Sequence, residues 1–156
     1  MRKIVLVFLF FLLGTSLISC AATYKPPTIA PQNVVEVIQG SKSDLFKAAK
    51  QILIMEGYPI LNSDEESGTI STAPKLIRLD ETYCDCGTTM GLPYIKDKRT
   101  ITKVSVGLLI SDNRINAKTT IEGEYLKADV AQSIAMVCIS TGKIESELMK
   151  KIKAQL

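Results

Sequence analysis

The sequence predicts an α+β domain over residues 34–156, in which an antiparallel sheet of about five strands carries two helices on one face. Two patterns predict this class. Residues 42–56 and 141–156 repeat apolar side chains at helical spacing, whereas residues 104–121 alternate apolar and polar side chains like a half-buried hairpin. Each amphipathic helix needs an apolar surface to pack against. We therefore expect the helices to pack on the apolar face of the sheet and to form a two-layer sandwich with it. The element order is strand, helix, hairpin, loop, hairpin, helix.

The N-terminus has the order of an export signal. Two basic residues precede an unbroken apolar run of ten residues, Ile4 to Leu13, which is too short for a stable membrane-spanning helix. Leu17-Ile18-Ser19-Cys20 follows, and this tetrapeptide resembles the lipobox of bacterial lipoproteins. The resemblance implies a signal peptide at 1–19, cleavage between Ser19 and Cys20, and acylation of the Cys20 thiol and of the new amino group. The alternative is an ordinary signal peptide with a chance cysteine.

Residues 20–33 contain three prolines and no hydrophobic period. This composition favours a semi-rigid tether that extends up to about 40 Å, at roughly 3.1 Å per residue. Two or three acyl chains hold a protein on a membrane where one chain holds it only marginally. The sequence therefore predicts a domain that is attached to a membrane through Cys20 and the tether.

The first half of the domain contains a strand, a helix and a hairpin. Residues 34–38 form the predicted strand. Ser41 and Asp44 fit a capping box that opens the helix over residues 42–56, and Gly57 supplies its C-terminal stop. Residues 58–62 and 69–79 flank a turn-rich acidic connection, which is typical of a hairpin.

The second half contains a clearer hairpin and a final helix. Residues 104–110 and 115–121 alternate on either side of an Asp112-Asn113 turn. Residues 133–139 are mostly apolar and fit no single type of element. The final helix begins near Thr141-Gly142, and its apolar positions recur every four residues, so we expect its lysines to face water.

Residues 80–99 are long for a loop in a compact domain, and such loops are usually functional or mobile. The loop carries Leu92 and Tyr94 beside a charged run at 96–99. A small apolar group rimmed by charge favours a partner-binding patch, with Tyr94 as its anchor. The alternative is a loop that folds back onto the core of its own domain.

Three cysteines remain after Cys20 is assigned to lipid. In an oxidising compartment they tend to pair, and a bond between Cys84 and Cys86 would close a strained small ring. We therefore expect Cys138 to pair with Cys86, or alternatively with Cys84. A Cys86–Cys138 bond closes a loop of about 50 residues, which the chain-entropy model values at roughly 4 kcal/mol. A three-thiolate metal site is a further alternative, although no fourth ligand is evident.

Composition excludes several kinds of chemistry. The chain contains no histidine, so Ser-His-Asp and Cys-His catalysis and histidine-ligated zinc are ruled out. Loss of Arg2 and Lys3 with the signal lowers the basic side chains from 19 to 17, against 16 acidic ones, and leaves a net charge of +1. This balance does not suggest nucleic-acid binding, which requires a concentrated basic face. We expect no cofactor and no resident metal.

A family resemblance runs through residues 43–72. The first predicted strand is followed by the helical segment Asp44-Leu45-Phe46-Lys47-Ala48-Ala49 and then by Gly57-Tyr58-Pro59-Ile60. An acidic turn that ends in Gly68-Thr69-Ile70 comes next. This order resembles the helix-grip domains of the BamC-type lipoproteins of the outer-membrane β-barrel assembly machinery. Ser140-Thr141-Gly142-Lys143-Ile144-Glu145 is similar to the start of the last helix in those domains. The resemblance implies a helix-grip fold and a location in the cell envelope.

These features favour a lipid-anchored, non-catalytic binding or scaffolding module. We expect it on the outer membrane, facing the periplasm, with another envelope protein as its partner. The alternative is a carrier of lipid or lipopolysaccharide, because helices over a curved sheet can enclose an apolar cavity. A third hypothesis is an enzyme that uses Cys84 and Cys86 for thiol exchange, which would need an exposed thiol of low pKa.

Overall fold

A computed structural model describes residues 24–126 and 133–156. The predicted signal peptide, Cys20 and the start of the tether lie outside the described residues. The strands are β1 (Tyr24–Lys25), β2 (Val34–Val37), β3 (Ile60–Asp64), β4 (Thr69–Thr72), β5 (Lys75–Ile77), β6 (Cys84–Asp85), β7 (Thr88–Thr89), β8 (Leu92–Pro93), β9 (Thr100–Ser111), β10 (Arg114–Leu126) and β11 (Ser133–Ser140). The helices are α1 (Lys42–Met55) and α2 (Lys143–Gln155), and a 3₁₀ helix spans Tyr94–Lys96.

The strands form two antiparallel sheets. The main sheet has eight strands: β3, β4, β9, β10, β11 and β6 follow in order, while β2 also pairs with β10 and β5 with β9. Strands β1, β7 and β8 form a separate three-stranded sheet. The α+β class with two helices is confirmed, but the expectation of about five strands is too small. The added strands are β11, an eight-residue strand over the apolar run that fitted no single type of element, and five short segments of two or three residues.

The central hairpin of β9 and β10 follows the predicted alternation. Its register runs from Ser111 opposite Arg114 to Thr100 opposite Tyr125. The side chains that point to one face are buried along both strands, among them Val104, Val106, Leu108, Ile110, Ile115, Ala117 and Ile121. The buried face of this hairpin therefore forms the part of the hydrophobic core that the main sheet contributes.

Both helices contribute buried side chains to the core. Helix α1 starts where the capping box predicts: Ser41 Oγ accepts a hydrogen bond from the Asp44 backbone N–H at 3.2 Å. Its Leu45, Ala49 and Leu53 side chains are fully buried. Helix α2 buries Ile144, Leu148 and Ile152, as its sequence predicts. The helices contact each other as well as the sheet. Among the described residues, no helix has the length and apolar character needed to span a membrane.

Strands β2 and β11 lie end to end along the same edge of β10. Strand β2 pairs with β10 as far as Ala117, and β11 begins its pairing at Ile121. Residues 118–120 of β10 lie in the gap between these two pairings. The Glu145 carboxylate of α2 fills the gap, accepting hydrogen bonds from the backbone N–H and the hydroxyl of Thr119 at 3.1 and 2.5 Å.

Candidate functional site

The long predicted loop is built around a disulfide. Cys86 and Cys138 are bonded, with their Cα atoms 4.1 Å apart, and this is the pairing that the sequence favoured. The bond ties the segment after β6 to β11, which is a neighbour of β6 in the sheet. Gly123 leaves room for it, because a Cβ atom at that position would lie 2.8 Å from Cys138 Sγ.

Cys84 is a buried free thiol beside this bond. Its Sγ atom lies 3.9 Å from Cys86 Sγ. Burial, followed by the charges of Asp85 and Asp80, raises the pKa of the Cys84 thiol to about 12. A buried thiol with a raised pKa is a poor nucleophile, which opposes the thiol-exchange hypothesis.

The three sulfur atoms lie within 4.8 Å of one another, a spacing that would suit three metal ligands if all were thiolates. The disulfide engages two of these sulfurs and leaves only Cys84 to act as a ligand. In the oxidised state described here, the cysteine cluster therefore staples β6 to β11 and does not form a three-thiolate site.

The start of the described chain is attached to the same region. Tyr24 pairs with Thr89 and Lys25 with Thr88, so β1 forms an outer strand of the small sheet. The Thr28 backbone N–H donates a hydrogen bond to Asp85 Oδ2 at 2.9 Å. The segment predicted as a tether over 20–33 therefore makes fixed contacts with the domain from Tyr24 onward, instead of extending freely to residue 33.

Gly87 allows β1 to approach so closely. Its φ of +79° lies in the left-handed region, and a Cβ atom there would come within 2.2 Å of the Lys25 carbonyl oxygen. A larger residue at position 87 would displace β1 from the domain.

The fold exposes only one of the two residues predicted to form the partner-binding patch. Leu92 is 70% exposed, but Tyr94 is only 5% exposed. The 3₁₀ helix turns Tyr94 inward, where its ring lies 5.9 Å from the Tyr24 ring and 5.0 Å from the Tyr125 ring, centroid to centroid. The interpretation of Tyr94 as an exposed anchor is therefore wrong, and for this residue the fold-back alternative describes the loop.

The apolar side chains that the loop does expose lie at the turn of the β7–β8 hairpin. Met90 and Leu92 point to solvent on either side of Gly91, and we call Met90–Leu92 the tip. A Cβ atom added at Gly91 would have no neighbour within 4 Å, so the space beside this turn is open.

The charged run 96–99 is held by local pairing. Arg99 donates side-chain and backbone hydrogen bonds to Asp97, which hold the pKa of the Asp97 carboxyl well below its usual range. Lys96 forms an ion pair with Glu81 at 2.7 Å. Asp97 and Lys96 thus already have partners within the domain.

A cleft of about 280 Å³ opens between the end of α1, β5 and α2. Tyr58 lies at its base, and burial followed by the Glu56 charge raises the pKa of its hydroxyl to about 12. The Lys75 ammonium lies 4.9 Å from the centre of the Tyr58 ring. At the rim, Lys151 forms an ion pair with Glu56 at 2.7 Å.

Further aromatic and charged side chains line this cleft or lie beside it. Tyr83 donates a long hydrogen bond of 3.4 Å to Glu147, and the Lys143 ammonium lies 4.2 Å from the Tyr83 ring centre. Arg78 lines the wall and donates to the Lys98 carbonyl. Tyrosine and arginine beside an apolar floor are typical of protein-binding surfaces. This cleft was not predicted, because its residues come from segments that are far apart in the sequence.

Glu145, in the first turn of α2, was also not predicted from the sequence to be a core residue. The side chain is fully buried. The available signal was its spacing, because Glu145 lies three, four and seven residues before Leu148, Met149 and Ile152 and so shares their buried stripe.

No protein-family model and no curated protein matches the sequence significantly. Among solved structures, a TBP-like protein from Parabacteroides distasonis is similar at 19% identity and a TM-score of 0.42, over 67% of this chain and 62% of that one. A DUF4468 family protein from Bacteroides ovatus is similar at 13% identity and a TM-score of 0.45, over 67% of this chain and 58% of that one. The matched region thus spans less than two thirds of either protein. Similarity at this level transfers no family or activity.

Proposed function

We propose that this chain is a lipid-anchored envelope lipoprotein that binds another envelope protein and catalyses no reaction. The observation that carries the proposal is Leu17-Ile18-Ser19-Cys20, placed behind a short apolar signal and four residues before β1. Acyl chains on Cys20 would hold the domain at a membrane surface. The resemblance of residues 43–72 to BamC-type domains supports the outer membrane, facing the periplasm, as its location and envelope assembly as its context.

The cleft beside Tyr58 and Tyr83 supports a binding role. Its walls offer two aromatic rings, the exposed guanidinium of Arg78 and a floor that includes Leu79 and Leu148. A short segment of a partner protein could bury an apolar side chain on that floor while its backbone meets the charged rim. We therefore propose the cleft as the site that contacts the partner.

The alternative role as a lipid carrier has less support. In the two-layer arrangement that we propose, both helices cover one face of the sheet. The space between these layers is filled by side chains such as Leu53, Val104 and Met149, which are fully buried. The cleft of about 280 Å³ is open and charge-lined, and it is just below the usual range of about 300–1,000 Å³ for ligand sites. A lipid with several acyl chains would need a larger and more apolar cavity.

The anchor is tested by labelling growing cells with radioactive palmitate. The wild-type chain should incorporate label, and Cys20→Ala should give an unlabelled, uncleaved precursor. Cys84→Ala is the matched control, because it removes a thiol that takes no part in the disulfide. Label on the Cys20→Ala protein would overturn the lipoprotein assignment.

The binding role is tested by photocrosslinking in intact cells. A photoreactive residue at Arg78 should capture one protein that mass spectrometry identifies repeatedly, whereas the same residue at the exposed Leu109 of β9 should not capture it. Equal capture at both positions would argue against the cleft as the contact site. The same photocrosslinking is then repeated in the Cys20→Ala chain. If the chain with Cys20 captures the partner and the Cys20→Ala chain does not, membrane anchoring is needed for binding.

A further inference from the structure

The tip leaves two apolar side chains largely exposed within the described part of the chain. Met90 is 83% exposed, the highest value among the large hydrophobic side chains in the described part of the chain, and Leu92 is 70% exposed. These two side chains lie on one exposed turn and are separated only by Gly91. They therefore form a small apolar patch, unlike apolar side chains that are scattered singly over a surface.

The pairing of β1 shows where the N-terminal chain enters the domain. Tyr24 lies opposite Thr89, and Lys25 lies opposite Thr88, in antiparallel register. The residue that begins β1 is therefore opposite the residue that ends β7, immediately before Met90. The chain that precedes Tyr24 consequently joins the small sheet at the end that carries the tip.

Covalent geometry limits how far Cys20 can be from this point. Four residue steps separate Cys20 from Tyr24, and an extended chain spans at most about 3.6 Å per step, or roughly 14 Å. An acylated Cys20 would place its lipid chains in the bilayer. The tip would then lie close to the headgroup region of the same membrane, since the polar zone of each leaflet is itself several ångströms thick.

We propose that Met90 and Leu92 insert at the boundary between headgroups and acyl chains, as a second membrane contact beside the acylated cysteine. The proposal rests on the proposed lipidation of Cys20. Apolar side chains gain by leaving water, and the exposed amine of Lys25 in β1 can meet lipid phosphates. Lipid is favoured over a protein partner as the occupant because the anchoring residue is covalently confined to this end of the molecule.

The tip is held firmly enough to orient the domain. Its hairpin is joined to β1 by the Tyr24–Thr89 and Lys25–Thr88 pairings, and the Tyr24 ring packs near Tyr94. The Cys86–Cys138 disulfide attaches the start of the hairpin to the main sheet. Acyl chains alone would let the domain pivot about Cys20, whereas a second contact through the tip would fix which side of the domain faces the membrane.

Leu61 provides a matched control. It is 72% exposed, nearly the same as Leu92, but it lies in β3, at the opposite end of the main sheet from β6. It has the same side chain and a comparable exposure, and it is far along the sheet from the point where the chain enters. Any difference in lipid contact between positions 92 and 61 therefore reports on placement and not on hydrophobicity.

The test uses the full chain in native membranes, with a photoreactive leucine analogue introduced at position 90, 92 or 61. After illumination, mass spectrometry of the purified protein detects covalently added phospholipid, and palmitate labelling is measured in the same samples. We expect at least tenfold more phospholipid adduct at positions 90 and 92 than at 61. Adduct yields at 90 and 92 that do not exceed the yield at 61, with normal palmitate labelling, would overturn the membrane contact alone.

Two other outcomes are decisive. Crosslinks from positions 90 and 92 to one protein and not to phospholipid would overturn the proposal and assign the tip to a protein interface. If the wild-type chain incorporates no palmitate label, the lipid anchor is refuted, and the premise of this inference fails with it.

Discussion

Glu145 should be one of the most important side chains for stability, although it is a polar residue in an apolar core. Its carboxylate accepts three hydrogen bonds: from the Thr119 backbone N–H at 3.1 Å, from the Thr119 hydroxyl at 2.5 Å and from the Ser140 hydroxyl at 2.8 Å. It closes the gap between the ends of β2 and β11 along β10. Glu145→Ala would leave buried donors without an acceptor, and each unsatisfied group costs about 1–3 kcal/mol.

The expected cost of Glu145→Ala is about 3–5 kcal/mol, because the hydroxyls can rotate while the backbone N–H of Thr119 cannot. Glu145→Gln should cost only about 1–2 kcal/mol. Its amide oxygen can still accept from Thr119, and its amide NH₂ can donate to Ser140 Oγ. Glu147→Ala is the control, because the one hydrogen bond that this half-exposed neighbour accepts from a described residue is the long 3.4 Å bond from Tyr83; its loss should cost less than about 1 kcal/mol.

Urea unfolding of the mature domain, followed by circular dichroism at pH 7 and extrapolated to water, measures these differences. We expect the loss in free energy of unfolding to be largest for Glu145→Ala, smaller for Glu145→Gln and smallest for Glu147→Ala. A Glu145→Ala protein within about 1 kcal/mol of the Glu147→Ala protein would show that the carboxylate does not complete the sheet.

Three further predictions concern the core and the cysteines. Leu148→Ala should lower the free energy of unfolding by about 2–5 kcal/mol, because it truncates a buried side chain. Lys150→Ala, at an exposed position of the same helix, should change it by less than about 0.5 kcal/mol. Equal, small effects of the two substitutions in urea titrations would mean that α2 is not packed on the core. A non-reducing peptide map should join Cys86 to Cys138, and a peptide that joins Cys84 to Cys138 would contradict the structure. Burial raises the pKa of Cys84 to about 12, so its protonated form stabilises the fold fully below about pH 9, and this contribution is lost as the pH rises toward 12. Iodoacetamide at pH 8 should therefore alkylate Cys84 only after unfolding, and rapid alkylation of the native protein would refute the buried placement.

The sequence predicted the elements whose signals are local. The capping box at Ser41 and Asp44 places the start of α1, and the alternation in 104–121 identifies the central hairpin, because both patterns depend on neighbours along the chain. The apolar positions that recur every four residues in α2 likewise predicted its exposed lysines. Local periodicity is enough when an element is long and one of its faces is buried.

The elements that were missed depend on contacts between distant residues. Strand β1 has only two residues and pairs with β7, more than sixty positions later, so no period in the sequence indicates it. Tyr94 was assigned to the surface because a tyrosine among charges suggests a binding patch, yet a 3₁₀ helix turns it toward Tyr24 and Tyr125. The cleft could not be predicted for the same reason, since α1, β5 and α2 assemble it only in the folded chain.

We propose that this domain is held at a membrane by a lipid on Cys20. Mass spectrometry of the N-terminal peptide, from the protein purified out of its native cells, tests this proposal most directly. We expect a peptide that begins at Cys20 and carries a diacylglyceryl group on the cysteine, with or without a further acyl chain on its amino group. A mature chain that begins at any other residue, or that carries an unmodified Cys20, would contradict it.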